Sequence, residues 1–583
     1  MPRFVCCSLT ALALPLFAWF LLASADEKTA ETPRLRRPIA ISLVDDGTRI
    51  LVANRDAGTI SIVDPKRKLI VREILLGKRI SGMAYATKKN TLAVTDETQG
   101  ELVLASFEDD RIQGAKRIAV GPNPVSVAIA DDASWQSVAL LWARQIAIVD
   151  AEQHVTRLDL PFAPRRQLVL PGDKVLVADA FGDRIAVIDA KAKRVQSVRS
   201  LAVVHNLRGL ALTADGKGVL VTNQTLHSQG HPNVGDIRAG SMLANNLQRL
   251  VLGNVLDPLT SLLQNDQTYP LGDIERGAGD PAAVAETPDG RILVALAGTG
   301  ELAIGQPQEA LWNRTEVGAG ANALAVDSAA GLVYVANTFD DSVSIVDWKA
   351  GKTLSRIALG VAPRPDQMTP EQRGEAHFYD AKLSLDGWFS CHSCHTDGHS
   401  NARLNDNLSD GTLGTPKRVL SLLGVKDTAP LAWNGKTKDI ESQVRNSIIS
   451  TMQGKKPSDD VVRDLSAYLR SLQPAPSIGI ARGEKDASAQ KRGEAVFAKL
   501  KCAGCHTPPE YTSPETYDVG LRDEAGLKQF NPPSLRGVSQ AGAWLHDGRA
   551  RSLREVFERF RHRVPEDVSP SDISDLIRFL AEL

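Results

Sequence analysis

Four of the six cysteines stand in two C-x-x-C-H segments, Ser390-Cys391-His-Ser-Cys394-His395 and Lys501-Cys502-Ala-Gly-Cys505-His506. Two thiols at this spacing can add to the two vinyl groups along one porphyrin edge, and the His that follows then reaches the iron as proximal axial ligand. The pattern assigns Cys391, Cys394, Cys502 and Cys505 as covalent anchors of two haem c groups, with His395 and His506 as iron ligands. A structural zinc site using all four thiolates would join two widely separated knuckles and leave both histidines idle. A thioredoxin-like redox pair would need a βαβ context, which is missing.

The elements around the two motifs repeat. Arg373-Gly-Glu-Ala-His-Phe378 precedes the first and Arg492-Gly-Glu-Ala-Val-Phe497 the second. Downstream, Ser421-Leu-Leu-Gly-Val425 answers Ser534-Leu-Arg-Gly-Val538, and a turn follows each, at Asn434-Gly435 and Asp547-Gly548. Each copy closes with an amphipathic helix after a Pro-Ser start signal, over residues 464–472 and 572–580. Two small helical cytochrome c-like domains are expected, residues 369–472 and 488–583, joined by a Pro/Ala/Ser-rich linker at 473–487.

From Thr369 onward the chain resembles the bacterial di-haem cytochrome c peroxidases and their MauG-like relatives. The resemblance rests on Leu383-Ser-Leu before the first motif, on Ala429-Pro-Leu-Ala-Trp-Asn-Gly435, and on Trp544-Leu-His-Asp-Gly-Arg-Ala-Arg-Ser-Leu553. It implies peroxide chemistry at the first haem, electron arrival at the second from a small redox protein (a cytochrome c or a cupredoxin), and a tryptophan between them. Trp433 matches that tryptophan; the other reading of such a residue is core packing. The family's distal Gln matches Gln443, but its distal Glu falls on Gln453, and an amide cannot exchange a proton near neutral pH. Met452, beside it, is either a sixth ligand to the first iron or a core methionine. The family's distal ligand to the second iron, fourteen residues beyond His546, falls on Phe560, and His562 is the nearest substitute. His399 is either a pocket or a loop residue. The resemblance also implies a calcium ion (Ca2+) between the haem domains, for which residues 405–411 are the oxygen-rich candidate loop.

Upstream, a self-similar unit recurs seven times over residues 36–360. Its clearest copies are Leu51-Val-Ala-Asn-Arg-Asp-Ala-Gly-Thr-Ile-Ser-Ile-Val-Asp64 and Val333-Tyr-Val-Ala-Asn-Thr-Phe-Asp-Asp-Ser-Val-Ser-Ile-Val-Asp347. Antiparallel strand pairs repeating every ~40 residues are the mark of propeller blades. First and last copies match the consensus well, which favours a closed ring over a solenoid with atypical caps. The repeats resemble the YVTN type of bacterial β-propeller. A long insertion is expected at 224–279. Its His227 and His231 either chelate a metal or lie solvated in a loop.

Residues 1–25 read as a secretory signal peptide. They carry Arg3, an apolar run over 9–23 and the small-x-small pattern Ala23-Ser24-Ala25, with Cys6 and Cys7 ahead of the run. That run is shorter than a spanning helix needs. Cleavage predicts a periplasmic protein with no membrane span. Sixty-eight basic against 69 acidic residues, net charge -1, give no electrostatic case for nucleic acid.

The fold class expected is multidomain β + α, a seven-bladed β-propeller followed by two α-helical cytochrome c-like domains. The function expected is a peroxidase- or MauG-like oxidoreductase passing electrons from the second haem to a substrate or oxidant at the first. The alternative is an electron-transfer cytochrome or redox-responsive binding protein with a protein partner docked on the propeller.

Overall fold

A computed structural model of the protein describes residues 32–309, 312–408, 411–484 and 486–583. The expected leader lies outside them. Among the described residues no helix is long and apolar enough to cross a membrane.

The repeat forms seven four-stranded antiparallel sheets. In the first blade, Pro38–Val44, Arg49–Asn54, Thr59–Asp64 and Leu69–Leu75 pair in sequence order. The consensus asparagine has a structural task. Asn54 Nδ2 donates to Thr59 Oγ1 and Ser61 Oγ at 3.0 and 2.8 Å, and Asn337 Nδ2 donates to Ser342 Oγ and Ser344 Oγ at 3.0 and 2.9 Å. A buried amide that ties two strands of a hairpin satisfies its own donors and fixes the register.

Apolar clusters fill the space between each neighbouring pair of blades. One of them joins Ile50, Val52 and Val63 of the first blade to Tyr334, Val343 and Ile345 of the last. The ring is therefore closed. No strand is exchanged at the seam. Instead Asp341 accepts from the backbone N–H groups of Arg36 and Arg37, and Thr338 Oγ1 donates to the carbonyl of Pro38.

The stretch 224–279, expected as an insertion, also holds the two outer strands of the fifth blade, Leu243–Val251 and Gln267–Pro270. The first of these carries Asn245, Asn246 and Gln248, all buried, where other blades carry aliphatic side chains. That is why its strand pattern is hard to read.

Beyond the ring lie two helical units. In the first, helix Pro370–Phe378 crosses helix Asp459–Ser471; in the second, Ala487–Lys499 crosses Pro570–Leu580. The repeated Arg-Gly pair builds both crossings. Arg373 clasps Asp464 with two hydrogen bonds of 2.6 and 3.0 Å, and Arg492 clasps Asp575 at 3.0 and 3.1 Å. A Cβ on Gly374 would sit 2.0 Å from the Asp464 carbonyl oxygen, and one on Gly493 2.1 Å from that of Asp575. Glycine lets the backbones touch.

The first helical unit shares its apolar core with the propeller: Leu226, Ile237, Met242 and Leu243 pack with Phe378, Phe389, Cys394, Met452 and Leu465. The second has a core of its own, around Phe497, Phe557, Leu576 and Phe579. Between them, the expected linker contains a short helix, Ile478–Arg482, capped by Ser477. It docks on the ring: Ala481 enters an apolar cluster of the second and third blades, and Arg482 Nε donates to the carbonyl of Ala143.

Candidate functional site

The two C-x-x-C-H motifs line one continuous cavity of about 1090 Å³ between and within the helical units. Cys391, Cys394, His395, Cys502, Cys505 and His506 all border it, as do Trp433, Gln443, Met452, His546 and His562. All four thiols are free. Burial pushes Cys391 and Cys394 up to about 12, so neither is a standing thiolate.

Both proximal histidines are held for ligation. His395 Nδ1 lies 2.9 Å from the carbonyl of Leu420, and His506 Nδ1 3.1 Å from that of Tyr511. A ring nitrogen facing a carbonyl must carry the proton, so the other nitrogen keeps its lone pair. Burial holds His395 neutral, at about 4, against the Leu420 bond.

Trp433 sits at the junction of the two units. Its indole N–H donates to the Arg418 carbonyl at 2.9 Å, its own carbonyl accepts from Asn531 N–H at 2.8 Å, and its ring meets that of His546 edge-on. His546 stacks on Phe530 with centroids 4.4 Å apart. Arg418 was not singled out by its sequence, yet it spans the same junction. Its N–H donates to the His546 carbonyl, its Nε to the Leu545 carbonyl, and its guanidinium lies over the Trp433 ring. The signal available was its place beside the Ser-Leu-Leu-Gly-Val repeat.

On the other side of the first motif, Gln443 borders the cavity. Its Nε2 donates to Ser447 Oγ, while its Oε1 is buried without a protein partner. Met452 borders it too, packed in the core beside Cys394. Gln453 does not. Its amide donates to the Ser450 carbonyl, its φ is 49°, and it is not among the lining residues. The reason is local: Gln453 lies past the π-helical turn Ser447–Thr451, where its left-handed backbone and its bond to Ser450 turn it back on the chain. Thr451 and Met452 take the lining positions instead. At the second motif His562 lines the cavity with Nδ1 buried and unpartnered; burial lowers it to about 4, with the nearby His506 adding to the effect. In the candidate calcium loop, Asn405 Oδ1 and Asp406 Oδ1 are buried and without a hydrogen-bond partner. His231 lies 3.5 Å from both Asp236 and Asp406, and His227 does not join it in a metal-ligating group among the described residues.

The cavity fits two haem groups. Its walls are largely aliphatic and aromatic, four free thiols and two oriented imidazoles face it, and Arg418, Arg536, Arg561 and Arg563 border it as partners for propionate carboxylates. His399 borders the cavity and is also a joint to the propeller. Its ring nitrogens meet Ser421 Oγ and the Gln540 carbonyl, and Trp142 and Phe181 of the propeller pack on its faces.

Comparison with known proteins agrees with this geometry. Residues 371–476 match the family described as di-haem cytochrome c peroxidase. The methylamine utilization protein MauG of Methylorubrum extorquens is 27% identical over 38% of this chain and 80% of its own length. MauG of Methylophilus methylotrophus is 26% identical over 38% and 85%. The hydrazine synthase subunit gamma of Kuenenia stuttgartiensis is 24% identical over 40% and 82%. The C-terminal part of the chain is thus similar to the di-haem cytochrome c peroxidases and MauG proteins, which implies haem as cofactor and peroxidase-like oxidoreductase chemistry, here joined to a seven-bladed propeller.

Proposed function

We propose that the protein is an exported, periplasmic di-haem c-type oxidoreductase. Electrons from a small redox protein arrive at the site of Cys502, Cys505 and His506, and an oxidant or substrate is met at the site of Cys391, Cys394 and His395. Covalently held haem supplies the one-electron redox chemistry at both. The observation that carries this reading is the single cavity in which both motifs meet, with Trp433 at the seam.

The residues divide the work. His395 and His506 each hold a lone pair on one ring nitrogen by donating from the other, which fixes ring orientation. Trp433 is packed between the units by two hydrogen bonds, by the Arg418 guanidinium over its ring and by His546, so its ring is held still between the two sites. Gln443 offers a carbonyl oxygen that no protein donor satisfies, suited to accept a hydrogen bond from a small ligand. The exposed second motif suits a docking partner: Lys501, Ala503 and Gly504 face solvent. A calcium ion would be held by Asn405 and Asp406.

A second reading is favoured by Met452, whose place in the wall of the cavity suits a thioether ligand that would close the first site and leave an electron carrier. An electron paramagnetic resonance spectrum of the oxidised protein, with peroxide added, decides between them. A high-spin, peroxide-reactive centre supports the oxidoreductase; two six-coordinate low-spin centres without turnover refute it.

A further inference from the structure

The two haem-attachment motifs are alike in sequence but not in surroundings. The second lies on the surface. The first is pressed against one end of the propeller, and propeller residues bond directly to it. Asp280, in the loop that leads into the sixth blade, is buried, and its carboxylate accepts from Ser390 Oγ at 2.5 Å and Ser393 Oγ at 2.6 Å. These are the residues immediately before Cys391 and Cys394. His205 Nε2 and Asn206 Nδ2 meet the Ser393 carbonyl at 2.8 and 3.3 Å, and Thr396 Oγ1 donates to Asn206 Oδ1. Arg208 reaches His392 Nε2 and Asp397 Oδ1, and Arg165 pairs with the other Asp397 oxygen.

Two further observations mark Asp280 as built for this contact. Its backbone is left-handed, φ 54°, a conformation that asparagine and aspartate tolerate best among residues with a side chain. Moreover, its two serine partners have no counterparts in the second copy, where Lys501 and Gly504 stand in their places. The duplication kept Cys-x-x-Cys-His and diverged at both serines that bond Asp280, as well as at His392, which meets Arg208 and is answered by Ala503.

We propose that Asp280 is a positioning residue through which the propeller sets the reduction potential of the first haem alone. This rests on the reading of the two motifs as haem sites. The carboxylate does two things. Bridging both serine hydroxyls, it holds the turn that carries both anchoring sulfurs. It also brings a carboxylate's negative charge beside that turn: burial works against the charged form, and the two serine hydroxyls, Arg208 and Gln224 Nε2 support it. In a dry setting such a charge favours the more positive, oxidised state of a nearby iron and lowers its potential. Among the described residues the second site has no such neighbour, so its potential is expected to stay independent.

The test is a redox titration of the full-length two-haem protein, with the centres resolved by electron paramagnetic resonance, for wild type, Asp280→Asn and Ser390→Ala. Asp280→Asn removes the charge and keeps the size, and the first haem's midpoint potential is expected to rise while the second's stays fixed. Ser390→Ala removes one hydroxyl that compensates the charge, and the first potential is expected to fall. Opposite signs separate a charge effect from simple loosening, which would shift both variants the same way. An unmoved first potential in Asp280→Asn, equal shifts at both haems, or shifts of one sign in both variants overturns the proposal. Should Asp280→Asn fail to fold, Ser390→Ala decides alone: an unchanged or raised first potential refutes it. Denaturing mass spectrometry of the wild type keeps the underlying reading separate, since fewer than two covalent haems would sink that reading whatever the potentials do.

Discussion

Trp433 meets His546 edge-on, ring centroids 6.4 Å apart and planes at 75°, across the seam between two helical units that descend from one duplicated sequence. The contact is the only aromatic pair among the described residues that joins the two units directly through the cavity wall. If the ring serves as the bridge between the sites, Trp433→Phe should leave both covalent haems in place and slow internal electron exchange at least about tenfold, or ~1.4 kcal/mol of barrier. Stopped-flow reduction of each centre checks it. Unchanged exchange would reduce Trp433 to a packing residue.

The thiol assignment has a mass readout. Cys502→Ser combined with Cys505→Ser should leave one covalent haem, and adding Cys391→Ser with Cys394→Ser should leave none. Denaturing mass spectrometry counts them directly. Haem loss from both sites in the first variant would mean the sites are not separable.

The two glycine crossings make a stability prediction. Gly374→Ala and Gly493→Ala each drive a methyl group into a carbonyl oxygen of the facing helix, so the helices must part. Overpacking of this kind costs about 1–3 kcal/mol. Thermal unfolding should fall in both variants, and the Gly493 variant should lose the second unit's signal first because its core is separate. An unaltered Tm in both would show that the crossings are slack.

Acid should loosen the propeller from the first helical unit. Burial holds His399 at about 4 and His205 at about 3, and pushes His392 well down, against an ordinary value of 6.5. All three lie where the units meet. Each is neutral when folded and protonates more readily when released, so stability is complete above pH 6.5 and drains away as pH falls toward 4. The shift at His399 alone corresponds to roughly 3 kcal/mol across that window. Unfolding midpoints at pH 7 and pH 5 check the sign, and His205→Gln should flatten part of the slope. A midpoint that rises on acidification would contradict the assignment.

What could be read from residues alone divides along physical lines. The blades were legible because the strand pairs and their consensus asparagine, Asn54 in one copy and Asn337 in another, repeat locally. The two C-x-x-C-H motifs were legible because the chemistry they suit demands a fixed spacing. The Arg-Gly pair was visible as a repeat, though its purpose was not, since Asp464 and Asp575 lie far along the chain. Gln453 was placed by the spacing of the family's pattern, and the π-helical turn and left-handed backbone that keep it out of the cavity wall leave no clear mark in sequence. The docking set of His205, Arg208 and Asp280 was invisible for a different reason. Each is a lone polar residue at the end of a blade, and only the ring brings them to one face, more than a hundred positions before the motif they hold.

The covering of the first motif also orders how the molecule is made. The whole propeller precedes Cys391 in the chain, so the ring can close without waiting for the residues that dock on it. Once Ser390 and Ser393 are bonded to Asp280, an attachment machinery that must grip the peptide has no access to it. On the proposed reading of both motifs as haem sites, loading at Cys391 and Cys394 has to run ahead of docking, whereas Cys502 and Cys505, at the surface, can be loaded at any stage. A propeller that seizes its partner too early would strand the protein with one haem, and the maturation of this chain is in that sense a race between a ligase and a fold.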